Sequence, residues 1–224
     1  MRFLSLALLT PLSALCMNAY AQPHHYHTGI EGNGLGRSNA YEQGKIKAGE
    51  KLRMFTSGFL HVDWMHLGFN MYALYLFGGI VAYRLSDLNF IIIYLGSLLA
   101  GSAYSLFFHK DEPYYSAVGA SGAVSGIVFS AIMLYPNKVY QFIFFPFLDI
   151  PGYVLGIGYL LYSIYGMKKQ LGNVGHSAHL GGAIGGYVLT LLVYPEILKD
   201  NPTMTLLLGA PIILLLLFGN KLKL

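Results

Sequence analysis

Ser121 and His179 are the two side chains of this sequence whose types could together make and break a covalent bond. A serine hydroxyl is a weak nucleophile until a neighbouring base takes its proton, and a neutral imidazole can be that base. Ser121 lies in Gly119-Ala120-Ser121-Gly122, where one apolar run begins, and His179 follows Ala178 near the start of another. Attack on a carbonyl creates an oxyanion, which needs preorganised donors. His66 and Asn70 are four residues apart, so they share a helix face and can aim donors at one point. Ser121 at a helix start adds its own backbone N–H and the positive end of the helix dipole. His61, five residues before His66, lies further round the helix and reads as a brace for the loop.

Each residue alone has a plainer reading. A serine in an apolar helix bonds its own i−4 carbonyl, a histidine or asparagine bonds across helices, and glycines let helices approach. The three clusters together point to acyl-transfer chemistry.

The elements that must position them are set by lipid. The chain has 224 residues, 55% hydrophobic and 11% charged, with mean hydropathy +0.53. Soluble domains carry about a quarter charged residues. Net charge is +4, but the Lys and Arg residues sit between apolar runs and form no block, which argues against nucleic-acid binding. The single cysteine, Cys16, excludes an internal disulfide and a Cys-based metal site.

Residues 1–21 read as a signal-like segment or a first span, with Arg2 before an apolar run and Ala19-Tyr20-Ala21-Gln22 at its end. Residues 22–57 read as a long polar, Gly-rich loop. Spans are expected over about 59–83, 88–108 and 117–135. One more crossing lies within 139–167, uninterrupted only from about 152 because of Pro146, Asp149 and Pro151, and another over about 176–194. The apolar run 203–218, with Pro211, is a seventh span or a surface-lying segment. The expected units are therefore 1–21, 22–57, a catalytic helical bundle over 58–195, and a C-terminal apolar segment and tail over 196–224.

All three polar clusters open even-numbered spans, which run in the same direction, so they come to one face of the membrane. The run from Ser121 to Tyr135 makes about 22 Å of helix at about 1.5 Å per residue. The hydrocarbon is about 30 Å thick, which places Ser121 below the near surface. Gly122 and Gly126 are four apart, as are Gly182 and Gly186, a spacing that lets membrane helices approach closely.

At these residues the sequence resembles the rhomboid family of intramembrane serine proteases. The matching elements are His61-x4-His66-x3-Asn70, Gly119-x-Ser121-Gly122, and Ala178-His179-x2-Gly182-x3-Gly186, in the family's order. The resemblance implies an all-α membrane protein, a six-helix transmembrane bundle that retains its first span. It implies Ser121 as nucleophile, His179 as base, and an oxyanion site of His66, Asn70 and the Ser121 amide. Gly119 falls in the nucleophile loop; Gly122, Gly182, Gly186 and His61 support. It implies no cofactor and no metal, substrates that are transmembrane proteins in the lipid bilayer, and a multi-pass protein of the plasma membrane with its site opening to the external side. That orientation leaves more Lys and Arg outside than inside, against the positive-inside tendency, whereas the signal-like start favours it.

Three positions depart from the family's pattern. Leu52-Arg53 stands where Trp-Arg is usual, Ile-Val-Ala82 follows Gly78-Gly79 where an acidic residue is frequent, and Ser125 stands where an aromatic often stacks on the histidine. Two other readings compete: a rhomboid-like protein that binds membrane clients without cutting them, and a metal or haem protein ligated by His61, His66, His176 and His179.

Overall fold

The computed structural model describes residues 40–143, 145–169, 171 and 174–218. The segment 1–21, and the 22–57 loop as far as residue 39, lie outside the described residues.

Strand β1 (Tyr41–Glu42) leads into short helices α1 (Gln43–Lys47) and α2 (Arg53–Thr56) and a 3-10 turn at Ser57–Phe59. Helices α3 (Trp64–Leu85) and α4 (Asp87–Phe108) follow. Both are long and apolar enough to cross a membrane by length and composition. The Asp63 carboxylate caps α3, accepting from the His66 backbone N–H at 2.7 Å, one of the donors a helix start leaves unpaired. Ser86 ends α3 with φ of 94° and begins α4, its hydroxyl facing the Asn89 N–H. One residue thus makes a tight reversal between two long helices.

Strand β2 (Ser116–Ala117) precedes α5 (Ser121–Leu134). Every residue of α5 after Ser121 is buried; a helix apolar on all sides belongs at the centre of its bundle. Strands β3 (Val139–Phe142) and β4 (Phe145–Pro151) form an antiparallel hairpin. Helices α6 (Gly152–Lys169), α7 (His176–Val193), α8 (Ile197–Asp200) and α9 (Pro202–Phe218) complete the order. The core is a triangle of α4, α5 and α7, with α3 against α5 and α6 against α7.

The chain is mostly helical, and the structure alters the expected all-α outline in three places. The 22–57 loop is built from Ala40 onward, because β1 pairs antiparallel with β2, Tyr41 opposite Ala117 and Glu42 opposite Ser116. Arg53 is buried to 6% exposure and donates to Glu50 at 2.6 Å and to the Ala40 carbonyl at 3.0 Å. The segment 139–151 forms a hairpin, since Pro146 and Pro151 oppose helix and Tyr140, Phe142, Phe145 and Phe147 favour strand. The 203–218 run is a helix that docks on the bundle through buried Leu208, Ile212 and Leu215. Asn201 helps seat it by donating to the Met133 and Leu134 carbonyls at the end of α5.

Glycines set the helix spacing. A Cβ on Gly182 would overlap the Gly122 backbone, and one on Gly186 the Gly126 backbone. A Cβ on Gly101 of α4 would lie 2.6 Å from the Ala178 carbonyl oxygen. Gly158 has open space at the same position. Replacing Gly182 or Gly186 by Leu forces the helices apart and should destabilise the protein by about 1–3 kcal/mol or more, measured by thermal unfolding in detergent. Gly158→Ala should stay within about 0.5 kcal/mol of the parent.

Candidate active site

Ser121 is the first residue of α5, and the loop before it is pinned from three directions. Strand β2 is held by β1. Gly119 donates its N–H to the Ser57 carbonyl at 3.0 Å. Gly119 also adopts φ of +130°, a conformation that glycine tolerates and side-chain-bearing residues avoid. A Cβ there would lie 2.6 Å from Cε1 and 2.9 Å from Nε2 of His66. The His66 ring therefore covers the loop two residues before Ser121.

Asn70 is buried and donates to the His66 carbonyl at 2.9 Å, within its own helix. One amide hydrogen is used there, leaving the second for another acceptor. His61 is fully buried, and neither ring nitrogen has a protein partner. Its ring meets that of His66 edge-on, with centroids 5.1 Å apart. The expected loop brace thus packs on the His66 ring itself.

His179 lies in the first turn of α7, its backbone N–H bonded to the Gly175 carbonyl at 3.0 Å. Among the described residues Ser121 and His179 share no hydrogen bond. What brings them together is backbone on backbone: a Cβ on Gly122 would lie 3.2 Å from the Ala178 carbonyl oxygen. Gly122 directly follows Ser121 and Ala178 directly precedes His179. Catalytic hydrogen bonds are often long before substrate binds, so the missing bond does not by itself separate the two residues.

Sequence reasoning passed over two sets of contacts here. Tyr159 of α6 lies nearly parallel to the His179 ring, 6.1 Å between centroids at 18°, and its hydroxyl meets Ser125. Ser177, 2% exposed, binds Ser105 at 2.9 Å, His109 Nε2 at 3.1 Å and the Tyr115 hydroxyl at 3.4 Å. The His109 and Tyr115 rings stack at 3.5 Å. This cluster fastens the start of α7 to the end of α4 two residues before His179. Its only signal in sequence was a serine beside Ala178-His179, and the partners lie more than 60 residues away.

Among the described residues, no three of His, Cys, Asp and Glu are grouped so as to hold a metal ion. The four histidines of the metal reading include two ring contacts, His61 with His66 and His176 with His179 at 6.3 Å.

The structure is a close-packed helical bundle with two apolar helices long enough to cross a bilayer, and it brings serine, histidine and amide groups together at one end. Residues 48–196, more than half of the chain, match the rhomboid domain. This chain belongs to the rhomboid family. It is 33% identical over 142 residues to "Rhomboid protein 1, mitochondrial" of Saccharomyces cerevisiae, covering 61% of this chain and 40% of that one. It is 32% identical over 153 residues to "RHOMBOID-like protein 12, mitochondrial" of Arabidopsis thaliana, covering 62% and 45%. It is 31% identical over 150 residues to "Rhomboid protease GluP" of Bacillus subtilis, covering 66% and 27%. The chain thus spans less than half the length of these relatives. Two of them are named as mitochondrial, so they lend no support to the plasma membrane expected from the sequence.

His109, just past the end of α4, has its imidazole held below the ordinary histidine value by burial, with Glu112 at 3.1 Å pulling the other way. A group whose folded pKa is depressed in this way stays neutral in the native state to lower pH than in the unfolded chain. Its contribution to stability is complete above the unfolded value near 6.5 and is lost as pH falls from there through the lower folded value. Thermal unfolding of the parent should therefore weaken between about pH 7 and pH 5 more than that of His109→Gln; equal slopes would remove His109 from the lock on α7.

Proposed function

We propose that this chain is an intramembrane serine endopeptidase that hydrolyses peptide bonds in or near transmembrane segments of other membrane proteins. The observation that carries the reading is the contact of Gly122 with Ala178 and Gly182, which sets Ser121 and His179 at the starts of two touching helices. Membership of the rhomboid family, with a relative named as a protease, supports it.

In this reading His179 takes the Ser121 proton as Oγ attacks the scissile carbonyl carbon. The resulting oxyanion is met by the Ser121 N–H, an N–H of the His66 ring and the Asn70 amide. The C–N bond then breaks as the imidazolium returns its proton to the leaving amine. Water, deprotonated by His179, attacks the acyl carbon, and the imidazolium returns that proton to Ser121 Oγ as the C–Oγ bond breaks and the carboxylic acid product leaves. Gly119 keeps the loop clear for His66, while Gly122, Gly182 and Gly186 hold the two helices in register. The base must be neutral, so activity fades as acid protonates it.

The catalytic bundle covers 58–195, preceded by the segments 1–21 and 22–57 and followed by 196–224, with six spans in all. Helix α5 supplies about 21 Å against a hydrocarbon of about 30 Å, so Ser121 lies below one surface, in an apolar setting that water reaches from that side. That side is the one to which the signal-like start delivers the 22–57 segment. The substrates are single-span or multi-span proteins of the same bilayer, and catalysis uses no cofactor and no metal.

Ser121→Ala and His179→Ala should each abolish cleavage of a single-span reporter in reconstituted membranes, and the double variant should be no worse than either, because both act in one step. A serine-directed fluorophosphonate should label the parent, with or without a strong chelator, but not Ser121→Ala. Full cleavage by Ser121→Ala would overturn the reading, and undiminished binding of a client by a parent that never cleaves would favour a non-cleaving rhomboid-like protein.

Removing one oxyanion donor typically slows turnover about 100- to 1,000-fold. Asn70→Ala should therefore lower kcat with little change in KM. A loss confined to KM would make Asn70 a packing residue.

A further inference from the structure

Two tyrosines of α6 face the two histidines of α7. Tyr159 lies nearly parallel to His179, and Tyr162 meets His176 edge-on, centroids 5.2 Å apart at 71°. Residue 159 pairs with 179 and 162 with 176, so the helices run antiparallel and one face of α6 covers the histidine face of α7. Phe129 of α5 approaches Tyr159 at 6.0 Å, so three helices meet around this ring.

The hydroxyl of Tyr159 has a definite bonding role. Ser125 donates its hydroxyl proton to the Ser121 carbonyl at 2.6 Å. Ser125 also bonds the Tyr159 hydroxyl. A serine hydroxyl has one proton to give, so Tyr159 is the donor in that second bond. The result is a directed chain: Tyr159 O–H to Ser125 Oγ, then Ser125 O–H to the Ser121 carbonyl. It begins at a ring stacked beside the base and ends on the backbone of the nucleophile.

We propose that Tyr159 is a positioning residue for the Ser121–His179 pair. Its ring confines the His179 imidazole to one plane, and its hydroxyl, acting through Ser125, fixes that ring relative to the first turn of α5. The distance between nucleophile and base is thereby set by a side chain from a third helix. The inference rests on the serine-protease reading above.

The test uses the full chain reconstituted in lipid with a single-span reporter. Tyr159→Leu removes ring and hydroxyl, Tyr159→Phe keeps the ring and its packing, Ser125→Ala removes the relay, and Tyr165→Leu alters an exposed side chain of the same helix. Misplacing a reacting group by about 1 Å can cost about 100-fold in rate, so Tyr159→Leu should lower kcat by about that factor with KM within about twofold. Tyr159→Phe and Ser125→Ala should each lose about fivefold, the worth of one neutral hydrogen bond, and the double variant should lose no more than either alone, since both break one chain. A readout independent of cleavage is the imidazole nitrogen resonance of His179, assigned by comparison with His179→Gln. It should shift in Tyr159→Leu and stay put in Tyr165→Leu.

Unchanged kcat and unchanged resonances in Tyr159→Leu, with Ser121→Ala inactive, would overturn the role of Tyr159 alone. A loss confined to KM, or equal losses in Tyr165→Leu, would do the same. Cleavage by Ser121→Ala would overturn this inference together with the protease reading.

Discussion

The structure depends on a contact in which no side chain takes part. Gly122 against Gly182, Gly126 against Gly186, and Gly101 against the Ala178 carbonyl bring the backbones of α4, α5 and α7 together. In lipid there is little hydrophobic gain from pressing one apolar helix on another, so close packing carries the association. Removing every Cβ from the seam allows the shortest approach, and the two residues proposed for the chemistry each sit one position from that seam. Helix spacing and the separation of the proposed pair are therefore set together in this molecule.

Around the seam, polar side chains act as fasteners. The Ser177 cluster ties the start of α7 to the end of α4, and the β1–β2 pair with the Ser57–Gly119 bond ties down the loop before Ser121. At the opposite end Arg84, Tyr194 and Asp200 link α3 to the segment after α7. That ion pair is about 40% exposed on each side, and exposed pairs contribute at most about 1 kcal/mol. The buried Ser177 network is the more demanding one, because a buried donor left unmet carries its full desolvation cost.

The departures from the family's pattern acquire a physical meaning in this setting. Leu52 is exposed while Arg53 is buried and bonded to Glu50 and Ala40. The arginine of the usual pair thus keeps a structural place without its aromatic neighbour. Ser125, small where an aromatic is frequent, leaves room for Tyr159 to come in from α6 and gives its hydroxyl a partner.

The sequence by itself determined whatever depends on order along one helix. The apolar runs announced the helices, with observed starts at Trp64, Asp87, Ser121, Gly152, His176 and Pro202 close to those expected. The Gly-x3-Gly spacings marked faces of close approach, whereas the cap at Asp63 that starts the first long helix at Trp64 emerged only from the structure. The motif residues were legible because their types and intervals are local. The tertiary structure alone decided which faces meet. Helix α5 is buried on every side, so beyond its Gly122–Gly126 face nothing in its pattern says which side turns to α3 or α6. The pairing of Tyr159 with His179, of His109 with Ser177, and of Tyr41 with Ala117 joins residues 20 to 76 positions apart through rotations and separations of whole elements. Those are set by the glycine seam, and they follow from packing in three dimensions, which no one-dimensional period encodes.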